Sequence, residues 1–403
     1  MKKILVIGAG DYQTVLIKRI KERGYDVFCV DKNTNAIGYK YATGYKCIDV
    51  MDFDGCLAYA KELNIDAVMT YGATLTLPTV AYIAEKLELP AIAPKTAEIS
   101  KSKYKIKKKL FENGCNVKGD FFELHSVEDA KKHTFEFPCI IKPSDGSGSK
   151  GVVVVHNEDE LSSALEYSLS CSRYSEVYTE SFIDGEEYSV EAFVENSNVH
   201  TYAIVKTTFI KDENGNISYG HRTPSGLPDQ TEDLIKREVE KAVFALNITL
   251  NSVNFDVIID RKTNKPYIID CGIRIGQNLF ASHLVPLSRG VSVIDNTIDL
   301  ALGNSVDAKP KYQKCVATRL LIYSPGIIKE IKPYDDLIGK HNILDIVLRK
   351  GAGDILRPYK EKSDTCGWVV TNGATPDEAE KNAQKAKELL QKYIIIEPSE
   401  VKL

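Results

Sequence analysis

Short apolar runs and segments with apolar residues at helical spacing alternate through the first part of the chain. Residues 3–7 contain an apolar run of four residues and predict a buried strand, residues 14–23 show helical spacing, and residues 25–30 predict a second strand. The alternation continues with predicted helices at 53–63 and 79–87 and predicted strands at 67–70 and 89–92. Strands that alternate with helices imply a parallel, doubly wound sheet over residues 1–93.

The pattern changes after Pro94. A lysine-rich helix is predicted over residues 97–113, and an apolar strand at 137–142 leads directly into a Gly/Ser-rich loop at 144–151. Further strands and helices follow without strict alternation, which favours an α+β arrangement. These are predicted strands at 151–156, 176–179, 188–194 and 255–259 and predicted helices at 159–170 and 231–246.

A polar stretch at residues 306–314 is typical of a linker, and the residues beyond it predict three or four strands and a last helix at 375–393. We therefore expect three domains, at residues 1–93, 94–304 and 305–403. The predicted fold class is α/β with an α+β centre.

Composition and charge narrow the range of functions. The 403 residues are 43% hydrophobic and 27% charged, as in ordinary globular proteins, and the net charge of −4 comes without a basic stripe, so nucleic acid is not an expected partner. The opening apolar run of four residues is too short for a signal peptide or a membrane span, which predicts a cytoplasmic protein. The nine cysteines lack zinc-site spacing and are expected to be buried, reduced thiols.

The first candidate site is the turn Gly8-x-Gly10-x-x-Gln13, with Asp31 at the end of the second predicted strand. A dinucleotide fingerprint requires a third small residue where Gln13 stands. A tight strand-to-helix turn without a ligand is therefore the favoured interpretation, and a nicotinamide-dependent oxidoreductase remains an alternative.

Lys142 ends a predicted buried strand, and the loop at 144–151 follows it at once. A loop of this composition leaves backbone N–H groups free to face phosphate oxygens, and the lysine adds a fixed positive charge. The segment after it predicts a strand rather than a helix, so this is not a Walker loop. A hairpin with a polar tip is the alternative.

Two carboxylates, Glu180 and Glu187, flank a short extended segment. The backbone of residues 181–183 can pair with an adenine and Glu187 can accept from ribose hydroxyls, whereas a surface turn with solvated acids is the alternative.

Asp256 and Asp270 project from two apolar strands joined by a tight turn at 260–265, so the hairpin brings them opposite each other. Acids on apolar strands require a counter-charge, and Mg²⁺ accepts hard oxygen ligands together with ATP phosphates. Arg274, four residues further on, is placed to hold a transferring phosphoryl group. An edge hairpin with Asp256 paired to an arginine is the alternative.

In chain order these features resemble the ATP-grasp superfamily. Within it the chain is similar to the carbamoyl-phosphate-synthetase-like carboxylate–amine ligases, a group that includes phosphoribosylglycinamide synthetase and the L-amino acid ligases. The segments 351–358 and 367–380 look like the C-terminal part of amino acid ligases.

The resemblance implies ATP and Mg²⁺ as cofactors, with Mn²⁺ as an alternative ion, and it assigns roles to individual residues. Asp256 and Asp270 would ligate the metal, and Arg274 and Lys142 would be catalytic. The residues implied to bind ATP are Lys103, Lys142, Ser147, Gly148, Ser149, Gly151, Glu180, Ser181, Phe182, Ile183 and Glu187.

The chain also departs from the family. Many relatives carry Glu at the two metal positions and Asn-Pro where Gly272-Ile273 stands. Metal affinity would therefore be weaker, or one of the ions would be held less firmly. The N-terminal turn lacks the Gly-Gly-Arg-Glu-His stretch of phosphoribosylglycinamide synthetase, which speaks against that substrate.

The expected activity is formation of an amide bond through an acyl phosphate, with a small-molecule carboxylate and amine as substrates and a homodimer as the assembly. His221 and Arg222, in a predicted loop at 219–225, are the candidate substrate residues. Phosphoribosylamine–glycine ligase activity and a nucleotide-binding protein with decayed chemistry remain alternatives.

Overall fold

A computed structural model describes residues 1–146, 148, 150–212, 215–276, 279–359 and 364–398. The predicted phosphate-loop residues Ser147 and Ser149 lie outside these residues. Within the described ranges, every helix is too short or too polar to cross a membrane. All nine cysteines are described and none forms a disulfide. Six are buried as expected, but Cys171 and Cys315 are half-buried and Cys47 is exposed.

The N-terminal region is a parallel sheet with strand order β3-β2-β1-β4. This confirms the doubly wound prediction. The predicted strand at 89–92 does not form, because Pro90 has no N–H to donate to a ladder. The elements are β1 (Lys3–Ile7), α1 (Asp11–Glu22), β2 (Asp26–Asp31), β3 (Gly44–Cys47), α2 (Phe53–Leu63), β4 (Ala67–Met69) and α3 (Leu77–Leu87).

A small antiparallel sheet follows, with strand order β5-β8-β6-β7. The single helix predicted at 97–113 is two helices, because Ser102 interrupts it and caps the second by accepting from the Lys105 N–H at 3.2 Å. The elements are α4 (Pro94–Ile99), α5 (Lys103–Glu112), β5 (Phe122–Leu124), β6 (Cys139–Pro143), β7 (Val153–Val155), α6 (Glu158–Cys171) and β8 (Val177–Ser181).

A large antiparallel sheet begins with the next strands and carries two long neighbours that the sequence pattern did not predict, β10 and β11. One face of this sheet packs against the parallel-sheet region through residues such as Phe193 and Val205, and the other packs against α5 and α7. The elements are β9 (Gly185–Glu195), β10 (Asn198–Asp212), β11 (Gly215–Thr223), α7 (Asp229–Ala245), β12 (Leu250–Asp260), β13 (Pro266–Gly272), α8 (Val285–Arg289) and α9 (Val293–Ala301).

The C-terminal strands extend this same large sheet, whose order across the described residues is β13-β12-β9-β10-β11-β14-β18-β16. The remaining three strands form a separate small sheet, β17-β15-β19. The domain boundaries at 93/94 and 304/305 stay predictions. The elements are β14 (Cys315–Leu320), β15 (Gly326–Ile331), β16 (Ile343–Leu348), β17 (Ile355–Leu356), β18 (Gly367–Gly373), α10 (Pro376–Leu390) and β19 (Ile394–Glu397).

Candidate active site

The predicted metal-binding acids meet on neighbouring strands of the large sheet. The register of β12 and β13 pairs Asp256 directly with Asp270, as the hairpin pattern predicted. The Asp260 N–H donates to the Lys265 carbonyl at 3.0 Å and closes the turn that fixes this register. Two carboxylates therefore project side by side, because paired residues of an antiparallel ladder lie on the same face.

Asp270 is held as a charged carboxylate. Lys103, the first residue of α5, donates from Nζ to Asp270 Oδ2, and the Cys271 N–H donates to Oδ1 at 2.9 Å. Burial opposes ionisation, but the charges of Lys103 and Lys142 outweigh it and lower the pKa of Asp270 to about 2. Asp270 is therefore ionised at any working pH.

Asp256 lies in the opposite electrostatic setting. Burial and the negative charge of Asp270 raise its pKa, despite a hydrogen bond from Ser189 Oγ to Asp256 Oδ1 at 2.6 Å. Among the described residues no arginine forms an ion pair with Asp256, which contradicts the alternative of an arginine-paired edge hairpin. A cation between the two carboxylates would relieve their repulsion.

The donor set fits Mg²⁺ bound together with phosphates. Within the described residues no group of three or more His, Cys, Asp or Glu side chains could hold a metal on its own. Mg²⁺ is commonly held by one or two carboxylates, with waters and substrate phosphates supplying the remaining ligands. Asp256 and Asp270 match that pattern.

A buried ion cluster lies beside the acids, where β6 and β8 of the small sheet face β13. Glu180 is 3% exposed, and Lys142 Nζ lies 2.5 Å from Glu180 Oε1. Lys107 Nζ donates to the other carboxylate oxygen, Oε2. Lys142 also donates to the Ile269 carbonyl at 3.1 Å, so it bridges the small sheet and β13. Burial opposes ionisation of Glu180, but the two lysines outweigh it and lower its pKa.

Lys107 was not among the predicted site residues. Its signal was present, because Lys107 follows Lys103 by four residues and two such positions share one face of a helix. The lysine-rich sequence of α5 concealed it among exposed lysines. Burial lowers the pKa of Lys107, and the Glu180 charge opposes that shift.

The predicted adenine segment is partly engaged by the protein itself. The Phe182 N–H donates to the Pro138 carbonyl at 3.2 Å, and Ser181 Oγ donates to the Gly119 carbonyl at 3.2 Å. Ile183 is buried, and Glu187 is half-buried on β9 opposite Ile258. Adenine and ribose binding by these residues stays a prediction.

The Gly/Ser-rich loop joins β6 to β7, as the sequence predicted. Gly148 and Gly151 have φ angles of +66° and +76°, in the left-handed region that favours glycine. The backbone therefore favours glycine at positions 148 and 151, and closure over phosphates stays a prediction.

Gly272 makes room for Arg274. A Cβ atom built on Gly272 would lie 3.0 Å from the guanidinium carbon of Arg274, whose Nη1 donates to the Ile275 carbonyl at 3.0 Å. The sequence suggested that glycine here removes a metal ligand. The structure also gives a steric reason for glycine, because a Cβ at this position would shift the guanidinium by a few tenths of an ångström.

We expect Gly272→Ala to lower the rate of substrate-dependent phosphate release by about tenfold, because a small displacement of a positioned charge has large kinetic effects. The melting temperature should stay close to that of the parent protein, since the flexible Arg274 side chain can move. Gly351→Ala is the matched control, because a Cβ there meets no atom within 4 Å. Equal rates for both variants would contradict this account.

Glu191 is a second residue that the sequence did not reveal. It lies on β9, is 0% exposed and accepts from Asn254 Nδ2 at 2.7 Å. Glu191 follows Ser189 by two residues on β9, so the two side chains lie on the same face of the sheet. Asp256 is paired with Ser189 on the neighbouring strand and lies on that face as well.

His221 and Arg222 are not in a loop, and that prediction is wrong for residues 219–223, which lie in β11. Successive strand residues point to opposite faces. His221 packs edge-on against Phe280, with ring centroids 4.7 Å apart, while Arg222 pairs with Asp377 and Glu380 of α10 at 2.9 and 3.2 Å. The structure thus does not bring the two together, and their substrate roles stay predictions.

The N-terminal glycine turn is filled by its own side chains. Gln13 Nε2 donates to the Tyr71 carbonyl at 2.6 Å, and a Cβ on Gly8 would lie 3.4 Å from the Gln13 side chain. Asp31 accepts from the Ala9 N–H at 2.9 Å. Asp31, at the end of the second strand, is therefore engaged within the turn, which disfavours the nicotinamide alternative.

Comparisons with known proteins agree with this geometry. Residues 100–277 match the model of the ATP-grasp domain, and residues 319–394 match L-amino acid ligase C-terminal domain 2. A phosphoribosylamine–glycine ligase of Lactococcus lactis is 27% identical over 252 residues, which are 60% of each protein. The chain spans less than two thirds of the length of the curated relatives it matches.

Solved structures show the same fold over nearly the whole chain. The L-amino acid ligase from Bacillus licheniformis has a TM-score of 0.84 at 21% identity and covers 99% of both chains. The biotin carboxylase domain dimer of Hydrogenobacter thermophilus 2-oxoglutarate carboxylase, in complex with MgADP, ADP and bicarbonate, has a TM-score of 0.73 at 16% identity and covers 98% of this chain and 90% of that one. The resemblance inferred from the sequence is confirmed: residues 100–277 form an ATP-grasp domain, and residues 319–394 form an L-amino acid ligase C-terminal domain.

Proposed function

We propose that the protein is an ATP-dependent carboxylate–amine ligase. The observation that carries the proposal is the register pair Asp256–Asp270. Lys103 of α5 contacts Asp270, and Lys142 of β6 contacts the neighbouring Ile269 carbonyl. In the proposed reaction a carboxylate attacks the γ-phosphorus of ATP to give an acyl phosphate and ADP. An amine then displaces phosphate to give the amide, losing one proton.

The protein's part is placement and charge neutralisation. Asp256 and Asp270 would hold Mg²⁺, which supplies positive charge to the phosphate oxygens when bound. Lys103 and Lys142 would exchange part of their contact with Asp270 and Glu180 for phosphate contacts. Arg274 would face the phosphoryl group in transfer. The complex of a structural neighbour with MgADP supports this choice of nucleotide and ion.

An amino acid is the carboxylate that the comparisons favour. The support is the match of residues 319–394 to an L-amino acid ligase C-terminal domain. Phosphoribosylamine–glycine ligation is the second candidate, favoured by the Lactococcus relative. A homodimer and a cytoplasmic location remain predictions, the first supported by the dimeric neighbour.

The direct test is phosphate release from ATP and Mg²⁺ with pooled amino acids and amines. We expect release to require both a carboxylate and an amine, and the amide to appear by mass spectrometry. Phosphoribosylamine with glycine forms a separate arm. Stabilisation by ATP without turnover in any pool would contradict the ligase and favour a nucleotide-binding protein with decayed chemistry.

A further inference from the structure

Glu191 joins three parts of the site through one carboxylate. Oε1 accepts from Asn254 Nδ2 at 2.7 Å, and Oε2 accepts from Tyr202 OH at 3.2 Å and from the Gly276 N–H at 3.3 Å. These partners belong to β12, to β10 and to the segment that follows β13. Both oxygens therefore have protein donors, and the 0% exposed side chain presents no surface to a ligand.

The contact with Gly276 is closely fitted. A Cβ atom on Gly276 would lie 2.2 Å from Glu191 Oε1, so any side chain there would displace the carboxylate. Gly276 follows Arg274 by two residues, and the Arg274 guanidinium is itself bonded to the carbonyl between them, that of Ile275. Glu191 and the Arg274 guanidinium therefore form hydrogen bonds to adjacent residues of the same backbone segment, Gly276 and Ile275.

Charged and titratable groups on several elements surround Glu191. Burial raises its pKa to about 7, although the Arg274 charge and the hydrogen bonds from Gly276 and Tyr202 oppose that shift. Asp256 on β12 adds a repulsive charge, and Tyr71, from the parallel-sheet region, has its own pKa raised by burial and by Glu191.

We propose that Glu191 is a positioning residue that holds segment 274–276 through the Gly276 N–H and so fixes the Arg274 guanidinium for phosphoryl transfer. The expected effect on phosphoryl transfer rests on the proposed function, because the role of Arg274 belongs to that proposal. The holding of segment 274–276 by Glu191 does not, since the hydrogen bond from the Gly276 N–H is present without any substrate.

The test is Glu191→Gln in the full chain, which keeps the shape and replaces one acceptor oxygen by an NH₂ group. One of the two N–H donors, Asn254 or Gly276, then faces another donor. We expect kcat for phosphate release to fall about 10–100-fold with KM for ATP within about twofold, as for other residues that orient a reacting group. Without ligands, hydrogen exchange of the Gly276 amide should accelerate about fivefold or more.

Tyr202→Phe and Tyr188→Phe form a matched pair of controls. Both tyrosines are 2% exposed and donate to a glutamate on β9, but Tyr188 donates to Glu186 at 2.8 Å. We expect Tyr202→Phe to reproduce part of the Glu191→Gln effect and Tyr188→Phe to show none. Gly276→Ala should reproduce the whole effect, because its Cβ displaces the carboxylate.

Unchanged Gly276 exchange in both Glu191→Gln and Glu191→Met, the second of which removes both acceptor oxygens, would overturn the inference, and so would a rise in KM for ATP with kcat preserved. If the unaltered protein shows no turnover in any substrate pool, the ligase proposal fails. The exchange measurement then still decides whether Glu191 holds the segment.

Discussion

Replacing Asp270 by asparagine is expected to lower substrate-dependent phosphate release by about 10²–10³-fold, the range found when one preorganised charge or donor is removed. Asparagine keeps the shape of the side chain but removes a negative charge. The proposed metal site then keeps a single carboxylate, and Lys103 loses its partner. Because the pKa of Asp270 is lowered to about 2, no pH in the working range would mimic the variant in the unaltered protein.

The measurement is steady-state phosphate release across a Mg²⁺ titration, with circular dichroism to confirm folding. Asp233→Asn is the matched control, because Asp233 is an exposed acid paired with Lys236 at 3.1 Å on α7. We expect that control to keep full activity. An Asp270→Asn enzyme within threefold of the parent rate would remove the central support of the proposed function.

The second large effect is on stability. We expect Glu180→Gln to reduce the free energy of unfolding by about 3–5 kcal/mol, the typical result of removing one partner from a buried ion cluster. The substitution leaves Lys107 and Lys142 buried without the carboxylate that both contact. Urea denaturation at neutral pH measures the difference.

Glu186→Gln is the control for this change, because Glu186 pairs with Lys206 at 2.7 Å but its side chain is 52% exposed. An exposed pair contributes about 1 kcal/mol or less. A Glu180→Gln loss no greater than that of Glu186→Gln would show that the buried cluster contributes little to folding.

The contribution of the Glu180 carboxylate to the free energy of unfolding should also depend on pH. The lysines lower the folded-state pKa of Glu180 below the unfolded value of about 4.3, so the contribution is complete above that value. It declines as the pH falls towards the folded-state pKa. The stability difference between the parent protein and Glu180→Gln should therefore narrow in acid.

What the sequence could predict depended on local geometry. The pair Asp256–Asp270 was predictable because a tight turn fixes the register of a hairpin, and the parallel region was predictable because its strands and helices alternate. The contact of Lys107 with Glu180 and the contacts of Glu191 with Asn254 and Gly276 were not, because these partners lie 73, 63 and 85 residues away. The helix face shared with Lys103 marked the position of Lys107, but no local pattern marks partners at such distances.

The strands β10 and β11 were missed for a related reason. Other elements cover the polar side chains of these strands, since His221 packs against Phe280 and Arg222 pairs with α10. Buried polar residues such as Thr207, His221 and Arg222 therefore interrupt the apolar pattern. A strand whose polar residues are buried resembles a solvated loop in sequence. The local pattern therefore predicted a loop where the structure has the middle of a sheet.

The ladder between β11 and β14 bears on attempts to retarget such enzymes by recombination. It pairs Gly220 with Arg319 and Thr223 with Val316, and a Cβ on Gly220 would lie 2.5 Å from the Thr318 carbonyl. A chimera that takes its last hundred or so residues from a homologue must reproduce this pairing of β11 with β14. Otherwise β11 is left as an open edge, prone to pair with other chains.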